Sequence, residues 1–126
     1  MLIIIDEVPI SKNKYVNMHW SKRAKYKERI AWIIQEFKSF EKSIKPDVYA
    51  ELPHKKAKII IDIFFKTKHK RDVANYLGGG LIAFLDCLVD LKFIKDDSYD
   101  VIGQPLVNFF YDKDYPRTEI RIERRD

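Results

Sequence analysis

The chain has little cysteine and histidine, and it contains no long apolar run. The single cysteine, Cys87, excludes an internal disulfide and a zinc site built from several cysteines. Because Cys87 lies in an apolar stretch, we expect a small buried core residue, which fits a reducing, cytoplasmic setting. The three histidines, His19, His54 and His69, have no spacing typical of a metal site, so we expect loop residues or contacts with a partner molecule.

Apolar runs in this sequence stay well below the length of about 20 residues that a membrane-spanning helix needs. We therefore expect a protein without a membrane span. The first residues, Met1–Asp6, lack the basic leader of a signal peptide, and their apolar run is too short for one.

The composition predicts one globular domain over residues 1–126, because 46% apolar residues can build a core at this length. Lysine and arginine outnumber aspartate and glutamate by 24 to 19, which gives a formal net charge of +5. A modest positive excess favours an anionic partner, although many proteins with such an excess bind no nucleic acid.

Apolar periodicity predicts the order β-α-β-α-β-β. The expected strands are residues 2–5, 58–66, 99–111 and 117–124. The first expected helix begins after Ser21, its N-cap, and the second extends over about residues 73–91. Residues 112–116 suit a hairpin connection between the last two strands. Together these elements predict an α+β domain with a mixed sheet and helices packed on one face.

Three of the four glycines are adjacent, at Gly78, Gly79 and Gly80. Inside a helix each would cost about 0.8–1.0 kcal/mol relative to alanine. Either the regular helix begins after them, or another segment approaches the backbone closely. A phosphate-binding loop and a close helix–helix crossing, including one between subunits, both stay open.

Cations are concentrated in two segments. The first turns of the first helix, where the macrodipole disfavours positive charge, contain Lys22, Arg23, Lys25, Lys27 and Arg29. These residues either bind an anionic partner or form a solvated basic face. A second basic run ends just before Asp72, and it contains Lys68, His69, Lys70 and Arg71.

Carboxylates at element boundaries are candidates for a magnesium site. Asp72 precedes the second helix, and Asp96 and Asp97 follow it. Mg²⁺ takes oxygen ligands, typically one or two carboxylates with waters and phosphate, and it assists phosphodiester hydrolysis. The alternative is that Asp72 is a helix cap and Asp96–Asp97 a turn. Asp86 either points at the same site or bonds a neighbouring element.

Three motifs in this order resemble the RusA family of Holliday-junction resolvases and their phage relatives. They are Arg-Asp-Val-Ala-Asn at 71–75, Asp-Cys-Leu at 86–88 and Asp-Asp-Ser at 96–98. Gly79–Ile82, Pro9–Asn13 and Met18–Trp20 are similar to further segments of the phage relatives. The resemblance covers nearly the whole chain.

The resemblance implies a homodimeric, Mg²⁺-dependent nuclease of DNA recombination and repair that cleaves four-way DNA junctions. It implies catalytic roles for Asp72, Asp86, Asp96 and Asp97, with Asp72, Asp96 and Asp97 as metal ligands. The expected DNA contacts are Asn13, His19, Lys22, Arg23, Lys25, Lys68, His69, Lys70, Arg71 and Asn75.

Two positions depart from the family pattern. Ala74 stands where the family has a second aspartate, and Ile82 stands where it has a lysine one turn before Asp86. The alternatives are therefore an active nuclease in which Lys70, Lys92 or Lys95 compensates, a catalytically impaired junction-binding protein, and a basic module that binds RNA or protein.

Helix length adds a constraint on the metal site. If residues 73–91 were all helical, the element would be roughly 28 Å long at about 1.5 Å per residue. Asp72 and Asp97 would then lie at opposite ends of that helix unless the chain doubles back or the glycines shorten it. A site completed by a second subunit is the third possibility.

Overall fold

A computed structural model of the chain describes residues 1–125. The helices are α1 (Lys12–Val16), α2 (Trp20–Ile44), α3 (Pro46–Ala50), α4 (Ala74–Leu77), α5 (Leu81–Asp90) and α6 (Tyr99–Ile102). The strands are β1 (Leu2–Ile5), β2 (Ala57–Phe65), β3 (Leu106–Tyr111) and β4 (Arg117–Arg124). The strands form one mixed sheet, which confirms the predicted α+β class.

The sheet has the strand order β1-β4-β2-β3. β4 runs antiparallel to β1 and β2, whereas β3 runs parallel to β2. The predicted hairpin at residues 112–116 is therefore wrong, because β2 lies between β3 and β4. These residues cross the end of β2, where the backbone N–H of Asp112 donates to the carbonyl of Phe65 over 2.8 Å. α5 and α6 provide the long crossover connection that the parallel pair requires.

The core lies on the helical side of the sheet. Alternate residues of β2 and β4 are buried there, including Ile59, Ile61 and Ile63 on β2 and Ile120 and Ile122 on β4. Their helical partners are Tyr26, Ile30 and Ile34 of α2 and Leu81, Phe84 and Leu88 of α5. The predicted packing of the helices on one face is confirmed.

Cys87 is fully buried in this core, as expected. Burial raises the pKa of its thiol to about 11, so the sulfur stays protonated and unreactive at neutral pH. Among residues 1–125, no helix combines the length and apolar character needed to cross a bilayer.

The start of the first long helix and the start of the third strand differ from the prediction. α2 begins at Trp20 because Nδ1 of His19 accepts a bond from the backbone N–H of Ser21 over 3.2 Å, so Ser21 is not the N-cap. Residues 99–105 are not a strand: α6 begins after Ser98 and stops at Gly103, which has a φ of +61°. β3 therefore starts only at Leu106, after this short helix.

The three glycines break the predicted helix over 73–91 into α4 and α5. A Cβ added to Gly79 would lie 2.6 Å from the backbone N of Lys12 and 2.7 Å from the carbonyl oxygen of Ile10. The N–H of Gly80 donates to the Ile10 carbonyl over 2.8 Å. Both sequence-based explanations therefore hold, since the regular helix starts after the glycines and residues 10–12 pack directly on their backbone.

We predict that Gly79→Ala destabilises the fold by about 1–3 kcal/mol, because a methyl group would force the backbone of residues 10–12 away. Gly78→Ala is the matched control, since its Cβ would meet the flexible Lys12 side chain at 3.2 Å and a backbone atom, the Ala74 carbonyl oxygen, only at an ordinary contact distance of 3.7 Å. Urea unfolding of both variants measures the difference. Equal unfolding free energies for Gly79→Ala and wild type would contradict the close packing.

Candidate functional site

Asp72 lies at the start of α4, in a surface hollow next to the glycines. One oxygen of its carboxylate accepts a hydrogen bond from the backbone N–H of Ala74 over 3.1 Å. Its backbone carbonyl accepts a hydrogen bond from the backbone N–H of Asn75, also over 3.1 Å. Asp72 thus does act at a helix start, as the alternative interpretation held. Its side chain is nevertheless exposed and available to a ligand.

The hollow has a volume of about 440 Å³ and is lined by Lys12, Asn13, Asp72, Ala74 and Asn75. We call it the Asp72 hollow. The structure thus brings together three predicted site residues, Asn13, Asp72 and Asn75, from two distant segments. It adds Lys12, which the sequence analysis did not identify as a site residue. The segment Pro9–Asn13, in which Lys12 is next to the predicted site residue Asn13, was the sequence signal that could have identified Lys12.

Asp86 lies further along, on α5, where α2 packs against it. The ammonium group of Lys27 on α2 is 3.9 Å from the Asp86 carboxylate and 3.1 Å from that of Asp90. Burial raises the pKa of Asp86, the Lys27 charge opposes that shift, and the negative charges of Asp97 and Asp90 add to it. Asp86 is therefore part of an electrostatic cluster with Lys27, Asp90 and Asp97.

Lys27 is one of the basic residues of the first long helix, and the sequence analysis did not predict its contact with Asp86. The expected compensating cations were Lys70, Lys92 and Lys95, but the lysine that contacts Asp86 comes from the first long helix. A hydrogen bond to Asp90 is the main cause that raises the pKa of Lys27, so its ammonium group stays charged. No spacing in the sequence relates residue 27 to residue 86, and only the packing of α2 on α5 does.

Asp96 and Asp97 form an exposed turn between α5 and α6. The Asp96 carboxylate accepts a bond from the backbone N–H of Asp97 over 2.9 Å. This turn follows the C-terminal end of α5, whereas Asp72 precedes its N-terminal end. The ten residues of α5 span about 15 Å at about 1.5 Å per residue.

Within residues 1–125, no three His, Cys, Asp or Glu side chains come close enough together to hold a metal ion. Each end of α5 nevertheless presents carboxylate oxygens, and magnesium commonly takes only one or two carboxylates together with waters and phosphate. The donor chemistry therefore fits Mg²⁺, while the shared site of Asp72, Asp96 and Asp97 stays a prediction.

The basic loop between β2 and α4 borders the Asp72 hollow. Lys68, His69 and Lys70 are exposed. The Arg71 guanidinium donates to the carbonyls of Thr67 and His69 over 2.9 and 3.0 Å and stacks 3.9 Å above the Phe65 ring. Arg71 therefore orders the loop, and the Lys68 ammonium group lies 4.8 Å from the centre of the Tyr111 ring.

The cations of α2 form a separate surface. Lys22 and Lys25 line a second hollow of about 270 Å³ together with Ile10, Lys14, Met18, Tyr26 and Arg29. Arg23 lies 5.9 Å from the Tyr15 ring, and His19 caps the helix. The predicted α2 contacts thus share one basic surface, and their role in DNA binding stays a prediction.

Comparison with known proteins connects this geometry to a family. The family model described as Endodeoxyribonuclease RusA matches residues 9–123, which includes every candidate residue above. Among curated proteins, none matches the chain significantly. The family's activity is that of a Holliday-junction resolvase, and its nucleases generally depend on a divalent metal ion. The chain belongs to the RusA endodeoxyribonuclease family.

Proposed function

We propose that the chain is a homodimeric, structure-selective endodeoxyribonuclease that cleaves four-way DNA junctions by Mg²⁺-dependent phosphodiester hydrolysis. The observation that carries this proposal is the Asp72 hollow, in which a carboxylate, two amides and a lysine meet beside a basic loop. We further propose that it acts as a single domain in the cytoplasm.

The residues of the hollow have complementary roles in this proposal. Lys12 neutralises a phosphate oxygen, and the amides of Asn13 and Asn75 donate hydrogen bonds that orient the backbone of the cleaved strand. Lys68 and Lys70 hold flanking phosphates through charge attraction. Asp72, with Asp96 and Asp97, would hold Mg²⁺, which lowers the charge on the phosphate and activates water.

Lys27 supplies the cation that Ile82 cannot. Ile82 precedes Asp86 by one turn on α5, and Lys27 reaches the same carboxylate from α2. We assign Lys27 a positioning role, because it contacts Asp86 and Asp90 and its charge opposes the rise in the pKa of Asp86 that burial causes.

A second candidate function is junction binding without efficient cleavage. Ala74 favours it, because Ala74 lines the Asp72 hollow at the position where the family pattern has a carboxylate. Asp72 is the one carboxylate among the five residues that line this hollow.

Incubation with a four-way junction and a Mg²⁺ titration distinguishes the two functions. We expect nicking that requires Mg²⁺ and that falls by about 10²-fold or more in Asp72→Asn, since a lost metal ligand removes charge stabilisation in the transition state. Linear duplex DNA is the substrate control. Tight junction binding without nicking at any Mg²⁺ concentration would favour the impaired protein, and Ala74→Asp should then create cleavage.

Lys27→Met should raise the pKa of Asp86 further, because it removes the positive charge that stabilises the carboxylate. Carboxyl carbon shifts in an NMR pH titration report this change, and the cleavage rate should fall with it. Lys42→Met is the control, an exposed lysine on the same helix. An unchanged pKa of Asp86 in Lys27→Met would refute the positioning role.

A mixed-dimer experiment tests whether two subunits complete one site. Asp72→Asn and Asp97→Asn chains are each refolded alone and as an equal mixture. If one chain provides Asp72 and the other Asp97, random pairing should restore about a quarter of wild-type activity, because half of the dimers carry one intact site. A mixture as inactive as its components would rule out a shared site.

A further inference from the structure

A cationic cleft lies at the start of β2, at the opposite end of that strand from the basic loop that leads to Asp72. It has a volume of about 460 Å³ and is lined by Glu51, Pro53, His54, Lys55, Lys56, Arg124 and Arg125. We call it the His54 cleft. Two lysines and two arginines face one carboxylate there, so the cleft carries a clear positive excess. None of these residues is among the DNA contacts that the family resemblance implies, and only His54 was named in the sequence analysis as a loop residue or partner contact.

The fold holds the arginines of this cleft in place. The backbone N–H of Arg125 donates to the Lys56 carbonyl over 3.0 Å, which extends the β2–β4 ladder beyond its last strand residue. The Arg125 guanidinium donates to the Val101 carbonyl over 3.0 Å and packs against Gly103, where a Cβ would lie only 3.2 Å from it. Arg125 is therefore a fixed positive charge on one wall.

The carboxylate of the cleft does not cancel its charge. Glu51 lies 3.9 Å from the Arg124 guanidinium, and both side chains are about 60% exposed. Such solvated pairs are worth little, so Arg124 can exchange Glu51 for a phosphate oxygen at small cost. Lys55 and Lys56 are exposed, and the structure describes no carboxylate within 4.0 Å of either ammonium group.

The His54 cleft adjoins the carboxylates at the end of α5. The backbone N–H of His54 donates to the Phe93 carbonyl, and that of Lys95 donates to the His54 carbonyl, each over 3.0 Å. Asp97 is two residues beyond Lys95, and two residues of fully extended chain span at most about 7 Å. The cleft and the Asp96–Asp97 turn therefore lie side by side.

We propose that the His54 cleft is a second phosphate-binding site, which holds the backbone of a DNA strand beside Asp96–Asp97. This inference rests on the proposed function. Asp86, Asp90, Asp96 and Asp97 would repel a DNA strand at this end of the molecule, so a strand that reaches them needs adjacent cations. A DNA strand carries one phosphate charge about every 3.4 Å along the helix axis. A strand with one phosphate at the Asp96–Asp97 turn would therefore place its next phosphates in the His54 cleft.

The experiment compares Lys55→Gln/Lys56→Gln with the wild-type chain and with Lys42→Gln/Lys58→Gln, a control that removes two exposed lysines that do not line the cleft. Junction affinity is measured against salt concentration. If both cleft lysines contact phosphates, the slope of log affinity against log salt should become shallower by about 1.8, at about 0.9 per phosphate. The control should keep the wild-type slope.

A second arm uses inorganic phosphate as the probe, without DNA. Amide NMR shifts of His54 and Lys56 should saturate with phosphate in the wild type and in the control, but not in Lys55→Gln/Lys56→Gln. Absence of saturable shifts in the wild type would overturn the site. Saturable shifts with an unchanged salt slope would overturn its assignment to DNA. A wild-type chain that binds phosphate here but no junction would contradict the proposed function and leave the anion site standing.

Discussion

The close packing of residues 10–12 on Gly79 and Gly80 is the contact on which the candidate site depends. It needs glycine because the backbones approach to a distance at which any Cβ would overlap. It separates α4 from α5, and it brings Lys12 and Asn13 over Asp72. Tyr26 of α2 seals the same junction, where its hydroxyl accepts from the Ile10 N–H over 3.4 Å. The helix α2, the glycine turn and the N-terminal segment therefore position the Asp72 hollow together.

The carboxylates of the candidate site lie near cations. Asp72 shares its hollow with Lys12 and follows the basic loop, and the Asp96–Asp97 turn follows Lys95, whose backbone N–H bonds His54 of the cationic cleft. Lys27 contacts Asp86 and Asp90, and its charge opposes the repulsion that Asp90 and Asp97 exert on Asp86. An anionic strand that approaches these carboxylates would therefore meet cations nearby. A net charge of +5 distributed in this way suits a polyanionic substrate better than its magnitude suggests.

Membership in the RusA family defines the class of chemistry, and the two departures from the family pattern have different structural consequences. At Ile82 the cation of the family pattern is missing from α5, and α2 brings Lys27 to Asp86 instead. At Ala74 the carboxylate of the family pattern is missing, and the lining of the Asp72 hollow contains one aspartate. Under the proposed function, the Ala74 departure removes a possible metal ligand, whereas the Ile82 departure leaves a lysine near Asp86 on a different helix.

The sequence by itself determined the α+β class, the strands at residues 2–5 and 117–124, and the family motifs. These features depend on local periodicity and on residue order, both of which are properties of the sequence. The tertiary structure alone decided that β2 separates β3 from β4, that Lys27 meets Asp86, and that Lys12 faces Asp72. Each of these joins segments far apart in sequence, and such contacts follow from how whole elements share one core, which local patterns do not encode.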